Sequence, residues 1–163
     1  MTKKILITLF ISFFLTANVF SAGSNDNDSS KTKTNYDKAV SQINLAKKYE
    51  MNGKTKKANK KYEKALELLI KSNKKNPNNA DTLNYLGFTT RKLGDFSNGE
   101  KFYLQGLAIK PDHNGINEYL GELYVATDRI DLAKERLNVL KKCNCEEYNE
   151  LKAVIDGKKK SKY

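Results

Sequence analysis

Few residues in this sequence could carry out chemistry. The candidates are a single histidine, His113, and two cysteines, Cys143 and Cys145, separated by one residue. Catalysis by side chains needs a nucleophile with a base, a pair of carboxylates in a pocket, or several metal ligands. A lone histidine close to Pro111 favours a solvated turn residue over a ligand or a base. The sequence also lacks the glycine-rich and zinc-binding motifs of common enzymes. We therefore predict a protein that is not an enzyme, with no catalytic residue, no metal and no cofactor.

The cysteine pair is the most conspicuous chemical motif. A disulfide between Cys143 and Cys145 is expected if the protein is exported to an oxidising compartment. The expected role of this bond is to staple the end of the fold. The alternative is a protein that uses Cys143 and Cys145 for thiol redox chemistry or for handling a soft metal ion, because paired thiolates suit both.

The N-terminal residues have the order of a signal peptide. Lys3 and Lys4 precede an apolar run from residue 5 to residue 15, and the small residues Ser21 and Ala22 follow. The apolar run is shorter than the ~18 to 20 residues that a membrane-spanning helix needs. We predict a cleaved signal peptide over residues 1–22, a periplasmic or secreted protein, and no stable membrane insertion after cleavage. Residues 23–35 are polar and of low complexity, which predicts a disordered linker.

The chain is strongly basic, with a formal net charge of +11 at pH 7. Basic charge favours acidic partners without choosing among them, and export argues against a nucleic acid. Nine lysines between residues 54 and 75, with only Glu63 and Glu67 opposing them, predict a very basic helix. We interpret them as a solvated outer face, and the alternative is contact with an anionic surface. These lysines are Lys54, Lys56, Lys57, Lys60, Lys61, Lys64, Lys71, Lys74 and Lys75.

Apolar residues past residue 36 recur at helical spacing, as in Ala39, Ile43 and Ala46. Runs of alternating apolar and polar residues, which would indicate strands, are missing. Turn-forming pairs such as Asn52-Gly53, Gly94-Asp95 and Thr127-Asp128 separate segments of roughly a dozen residues. This pattern predicts short helix–turn–helix units.

The units repeat, most clearly over residues 80–113. This stretch has the 34-residue length of a tetratricopeptide unit, and it resembles that family in Leu86-Gly87, Gly94-Asp95-Phe96, Tyr103, Gly106-Leu107 and Pro111. A shift by one repeat aligns Tyr85-Leu86-Gly87 with Tyr119-Leu120-Gly121. The first unit begins at Ala39 and contains extra residues, which predicts a longer second helix. We expect a domain over residues 36–157 with repeats at about 39–79, 80–113 and 114–145, a cap over 146–157 and a basic tail over 158–163.

The resemblance implies an all-α, right-handed α-solenoid of about three helix–turn–helix repeats with a C-terminal capping helix. It also implies a protein–protein interaction module that binds a peptide or a partner protein in a concave groove lined by the first helix of each unit. The groove residues it predicts are Val40, Ile43, Lys47, Met51, Asp81, Asn84, Phe88, Arg91, Lys92, Gly115, Glu118, Glu122 and Val125.

One branch of the family grips the terminal carboxylate of a chaperone peptide with Lys, Asn and Arg side chains. This chain has Ile43, Tyr85, Gly115 and Tyr119 at most of the equivalent positions. The resemblance therefore predicts protein binding without that carboxylate clamp, and it does not identify the partner.

Overall fold

The computed structural model describes residues 33–161, and all of its regular structure is helical. The predicted signal peptide and most of the predicted linker lie outside the described residues, as do the last two residues of the tail. The helices are α1 (Asn35–Met51), α2 (Thr55–Lys75), α3 (Ala80–Lys92), α4 (Phe96–Ile109), α5 (Asn114–Ala126), α6 (Ile130–Leu140) and α7 (Glu146–Ile155). Within residues 33–161, no helix combines the length and the apolar character that crossing a bilayer requires.

Short polar side chains define where several helices begin. Thr34 and Asp37 form a reciprocal capping box at α1, in which the Asp37 amide donates to Thr34 Oγ1 over 3.1 Å. The side-chain oxygen Oδ1 of Asn79 accepts the Thr82 amide at the start of α3, over 2.7 Å. Such bonds satisfy amides that have no partner inside the helix.

The turn inside each unit uses the same backbone conformation. Gly53 and Gly94 have φ values of +67° and +95°, and Asp128, 34 residues after Gly94, has a φ of +59°. Glycine adopts this left-handed region without steric cost, and aspartate tolerates it better than most residues. The predicted turn residues therefore close the three helical hairpins at equivalent places.

The helices pack as consecutive pairs. The most extensive contacts join α1 with α2, α3 with α4, and α5 with α6, while α7 packs on both α5 and α6. The first helices of the units also touch one another, α1 with α3 and α3 with α5. α2 has 21 residues against 14 in α4, which confirms that the extra residues lengthen the second helix of the first unit. The expected all-α solenoid with a capping helix is confirmed.

Glycines at the helix crossings allow close approach. A Cβ atom on Gly87 would lie 2.5 Å from the ring of Tyr103, and one on Gly121 would lie 2.5 Å from a methyl carbon of Leu151. Tyr103 and Leu151 are fully buried. The first contact joins α3 to α4, and the second seats α7 against α5, so side chains from the neighbouring helix fill the space that glycine leaves.

Candidate protein-binding face

The face formed by α1, α3 and α5 carries a row of half-buried tyrosines. Tyr36, Tyr85 and Tyr119 come from the three helices in turn, and the ring centroids of Tyr36 and Tyr85 are 5.8 Å apart. Phe88 lies beneath the row, with its centroid 5.1 Å from that of Tyr119. Desolvation by burial raises the pKa of Tyr36 to about 12 and raises the pKa of Tyr85 as well. Tyr36 and Tyr85 therefore remain neutral phenols at physiological pH. We define the aromatic row as Tyr36, Tyr85 and Tyr119.

The predicted groove residues do not share one environment. Met51 is 86% exposed, and Asp81 is also exposed. Those that are partly exposed are Val40, Lys47, Lys92, Gly115 and Val125. Those that are buried are Ile43, Asn84, Phe88, Arg91, Glu118 and Glu122. Ile43, Phe88, Arg91 and Glu122 pack the interior, which corrects the expectation that they line an open groove. Asn84 and Glu118 are buried as well, but they also line a cavity on this face. Partner binding at the remaining positions stays a prediction.

The contacts of the Arg91 side chain explain why Arg91 and Glu122 are buried. Its Nη1 donates to the backbone carbonyl of Tyr119 over 2.5 Å, and its Nη2 lies 3.6 Å from Glu122 Oε2. Burial lowers the pKa of Arg91 to about 10, because desolvation outweighs the opposing effects of Tyr103 and Glu122. The guanidinium thus joins α3 to α5 across the repeat boundary, where the sequence pattern places a ligand contact.

A second polar contact joins α1 to α3. Lys92 Nζ lies 2.7 Å from Glu50 Oε1, and the Tyr62 hydroxyl donates to Glu50 Oε2 over 2.9 Å. Lys47 Nζ lies 4.8 Å from the centroid of the Phe88 ring, within the range of a cation–π interaction. The two predicted groove lysines therefore already interact with neighbouring helices.

His113 is not the solvated turn residue that the sequence predicts. Its side chain is 11% exposed, its Nδ1 accepts the Ile116 amide over 3.2 Å, and its Nε2 lies 3.0 Å from Asp81 Oδ1. A nitrogen that accepts an amide carries no proton, so the proton of the neutral ring is on Nε2, which donates to Asp81. His113 caps α5 and ties it to α3, a role for which histidine is an uncommon choice.

An acidic cavity opens beside Tyr85 and Tyr119, where α3, α5 and α7 begin. Its volume is about 540 Å³. A smaller cavity of about 220 Å³ adjoins it and shares Glu118, Tyr119 and Glu147. The carboxylates that line the two are Asp81, Asp112, Glu118, Glu146, Glu147 and Glu150, and Lys110 is the lysine among the lining residues. Among residues 33–161, no cluster of His, Cys, Asp or Glu is arranged to hold a metal ion. We call these two adjoining spaces the acidic cavity.

The sequence interpretation missed both the aromatic row and the acidic cavity. A signal for the row was present, since Tyr85 and Tyr119 each precede a Leu-Gly pair at the same position of successive repeats. The cavity left no comparable signal, because its carboxylates come from segments up to about 70 residues apart that only the packing of α3, α5 and α7 brings together.

The sulfur atoms of Cys143 and Cys145 are bonded to each other, with their Cα atoms 5.1 Å apart. Asn144 between them has a φ of +46°, and Cys145 directly precedes α7. The bond lies in the short connection between α6 and α7. Cys143 also lines an open cavity of about 470 Å³, together with Lys142 and residues near the end of α6 and the start of α5.

The basic helix predicted from residues 54–75 is α2. Eight of the nine lysines of residues 54–75 are exposed and Lys61 is half-buried, with Lys54 directly preceding the helix. Tyr62, at the centre of the helix, is fully buried on the opposite side. The interpretation of these lysines as a solvated face agrees with this exposure, and contact with an anionic surface stays a prediction.

Comparisons with known proteins identify the fold. No protein-family model and no curated protein sequence matches the chain. Among solved structures, the chain is similar to the first TPR domain of Spaghetti (RPAP3) bound to the HSP90 peptide SRMEEVD, with a TM-score of 0.54 and 20% sequence identity. The similarity covers 76% of this chain and 95% of that domain. Together with the paired helices and the repeat spacing, this similarity identifies the fold of the chain as that of the tetratricopeptide repeat proteins.

Proposed function

We propose that this chain is an exported protein–protein interaction module that binds a peptide segment of a partner protein on the face formed by α1, α3 and α5. The observation that carries the proposal is the aromatic row. Half-buried tyrosines offer a large apolar surface and a hydroxyl group, and they lose little side-chain entropy on binding, which is why they are frequent at interfaces. Their placement on three successive first helices suits an extended segment that crosses the units.

The partner differs in chemistry from the acidic peptide bound by the similar structure. Most of the positions at which a carboxylate clamp would require cationic or amide side chains hold Ile43, Tyr85, Gly115 and Tyr119. Ile43 is fully buried, and neither glycine nor tyrosine can supply a positive charge. We therefore expect no measurable preference for a peptide that ends in an acidic sequence.

Export is part of the proposal. It is supported by the order of charged, apolar and small residues in positions 1–22 and by the disulfide, since disulfides persist in oxidising compartments. The test is mass spectrometry of the protein isolated from the host cell. A mature N-terminus near residue 22 in the periplasmic or secreted fraction is the expected result, and an intact Met1 in the cytoplasmic fraction would overturn this part.

Site-specific photocrosslinking tests the binding face. A photoreactive phenylalanine analogue replaces Tyr85 or Tyr119 in living cells, and the matched control carries it at Leu104, which is 48% exposed on α4. The expected result is the same crosslinked protein at positions 85 and 119 and a different or absent product at 104. An identical pattern at all three positions, or crosslinks at 104 alone, would contradict binding on this face.

A second candidate function is thiol–disulfide exchange at Cys143 and Cys145. The observation that favours it is the position of Cys143 on an open cavity. A partner thiolate would attack one sulfur of the bond, form a mixed disulfide and release the other sulfur as a thiolate. Replacement of both cysteines by serine separates the two functions, since an interaction module keeps its crosslinked partner and a redox protein loses its exchange with a dithiol substrate.

A further inference from the structure

We infer that the acidic cavity binds a positively charged side chain, lysine or arginine, of a partner segment that lies along the aromatic row. This inference rests on the proposed function, because it names the chemistry of the segment that the face would accept. The inferred preference for a cation is also opposite to the preference that the net charge of the protein suggests. A chain with a net charge of +11 attracts acidic partners in general, and the acidic cavity selects the opposite charge at one place.

The charges that line the acidic cavity set its preference. Six carboxylates from three parts of the fold line it, and Lys110 and the Asp81-bound His113 are the basic residues among the lining. Neighbouring carboxylates repel one another, and a cation placed among them relieves that repulsion.

The buried side-chain amide of Asn84, at the cavity wall, also indicates that the ligand is a hydrogen-bond donor. Asn84 lines the cavity and is only 7% exposed, and its Oδ1 has no hydrogen-bond partner within the described part of the chain. A buried acceptor without a partner costs free energy, and that cost is removed when the amide turns toward a donor bound in the cavity. Ammonium and guanidinium groups are donors without acceptor atoms, so they suit both the carboxylates and this amide.

Two further contacts agree with a cation. Tyr85 and Tyr119 line the same cavity, and an aromatic face attracts ammonium and guanidinium groups within about 6 Å of its centre. The tail residue Lys159 already forms an ion pair with Glu150, one of the lining carboxylates. The chain itself thus places a lysine against this surface.

Titration of the isotope-labelled mature protein with acetyl-pentalysine amide tests the inference. Backbone amide shifts are expected to change at Asn84, Tyr119 and Glu147, to weaken at ~0.5 M salt because ions screen exposed charges, and to be absent with acetyl-pentaglutamate amide. The site variant is Asp112→Asn with Glu147→Gln. The control is Glu63→Gln with Glu67→Gln, which changes the net charge equally on the exposed face of α2.

The site variant should raise the dissociation constant for pentalysine about fivefold or more, and the control should leave it unchanged. Equal effects of the two variants, or shifts that pentaglutamate reproduces at the same residues, would overturn the inference. The two proposals fail separately. A partner captured at Tyr85 and Tyr119 with no pentalysine binding would refute only the cation preference. Pentalysine binding with no capture would refute only the protein-binding function.

Discussion

The first two repeats each have a tyrosine at the same repeat position, but the two hydroxyl groups differ in their hydrogen bonding. Tyr62 in α2 and Tyr103 in α4 occupy the same repeat position, and both are fully buried. The hydroxyl of Tyr62 donates to Glu50, whereas that of Tyr103 has no hydrogen-bond partner within residues 33–161. Desolvation raises the pKa of both phenols far above the usual value.

The residue 12 positions into each repeat explains the difference. It is Glu50 in the first unit, Arg91 in the second and Val125 in the third. A carboxylate accepts the tyrosine hydrogen, but a guanidinium has no acceptor and turns to the next unit, where it meets Glu122 and the carbonyl of Tyr119. The same repeat position therefore forms a contact inside the first unit, and in the second unit it forms a contact across the boundary to the third.

The largest expected effect is at Arg91. Arg91→Met leaves Glu122 buried without its cation, and we expect a loss of about 3 to 5 kcal/mol in the free energy of unfolding. Urea denaturation measures it. The double variant Arg91→Met with Glu122→Leu should recover most of the loss, because an apolar pair of similar volume removes both charges. A single variant as stable as the wild type would show that the ion pair does not support this boundary.

Replacement of each of the two tyrosines by phenylalanine gives a matched pair of variants that tests this difference directly. Tyr62→Phe removes a hydrogen bond to a carboxylate and should cost about 1.5 to 3 kcal/mol of unfolding free energy. Tyr103→Phe removes a buried hydroxyl that has no partner in the described part of the chain, so stability should be unchanged or slightly higher. Thermal and urea unfolding of both variants decide the matter. Equal losses would mean that the hydroxyl of Tyr103 has a partner in solution, such as water.

The smallest expected effect is at Lys92. This lysine joins α1 to α3 through Glu50, and its side chain is 11% exposed. Lys92→Met should cost between about 0.2 and 1 kcal/mol, and the cost should fall in high salt, as for partly exposed ion pairs. Urea unfolding at low and high salt provides the measurement. A loss comparable to that of Arg91→Met would contradict the distinction between a partly exposed and a fully buried ion pair.

Much of the fold could be predicted from the sequence. The 34-residue spacing of Leu-Gly pairs predicts the second and third units, and the turn signals at Gly53 and Gly94 mark the bends inside the hairpins. The expected cap over 146–157 begins where α7 begins and ends two residues after it. These predictions succeed because the repeat pattern combines local turn preference with the burial of small and aromatic residues.

The candidate site was predicted far less well. Position within a repeat predicts which residues project from the first helices, and it does not predict how far a long side chain reaches toward a neighbouring helix. Phe88 and Arg91 stand at groove positions, yet they are 2% and 1% exposed because α1, α5 and α4 supply packing partners. Their substitution would therefore test folding and not binding.

By itself, the sequence determined the helices, their order and their pairing, because those depend on spacing and turn chemistry along one stretch of chain. Only the tertiary structure decided which polar groups meet across unit boundaries. It buried Arg91 against Glu122, made His113 a cap bonded to Asp81, and gathered distant carboxylates into the acidic cavity. The physical reason is that charge pairing and side-chain burial depend on distances between atoms of different helices, which no short stretch of sequence encodes.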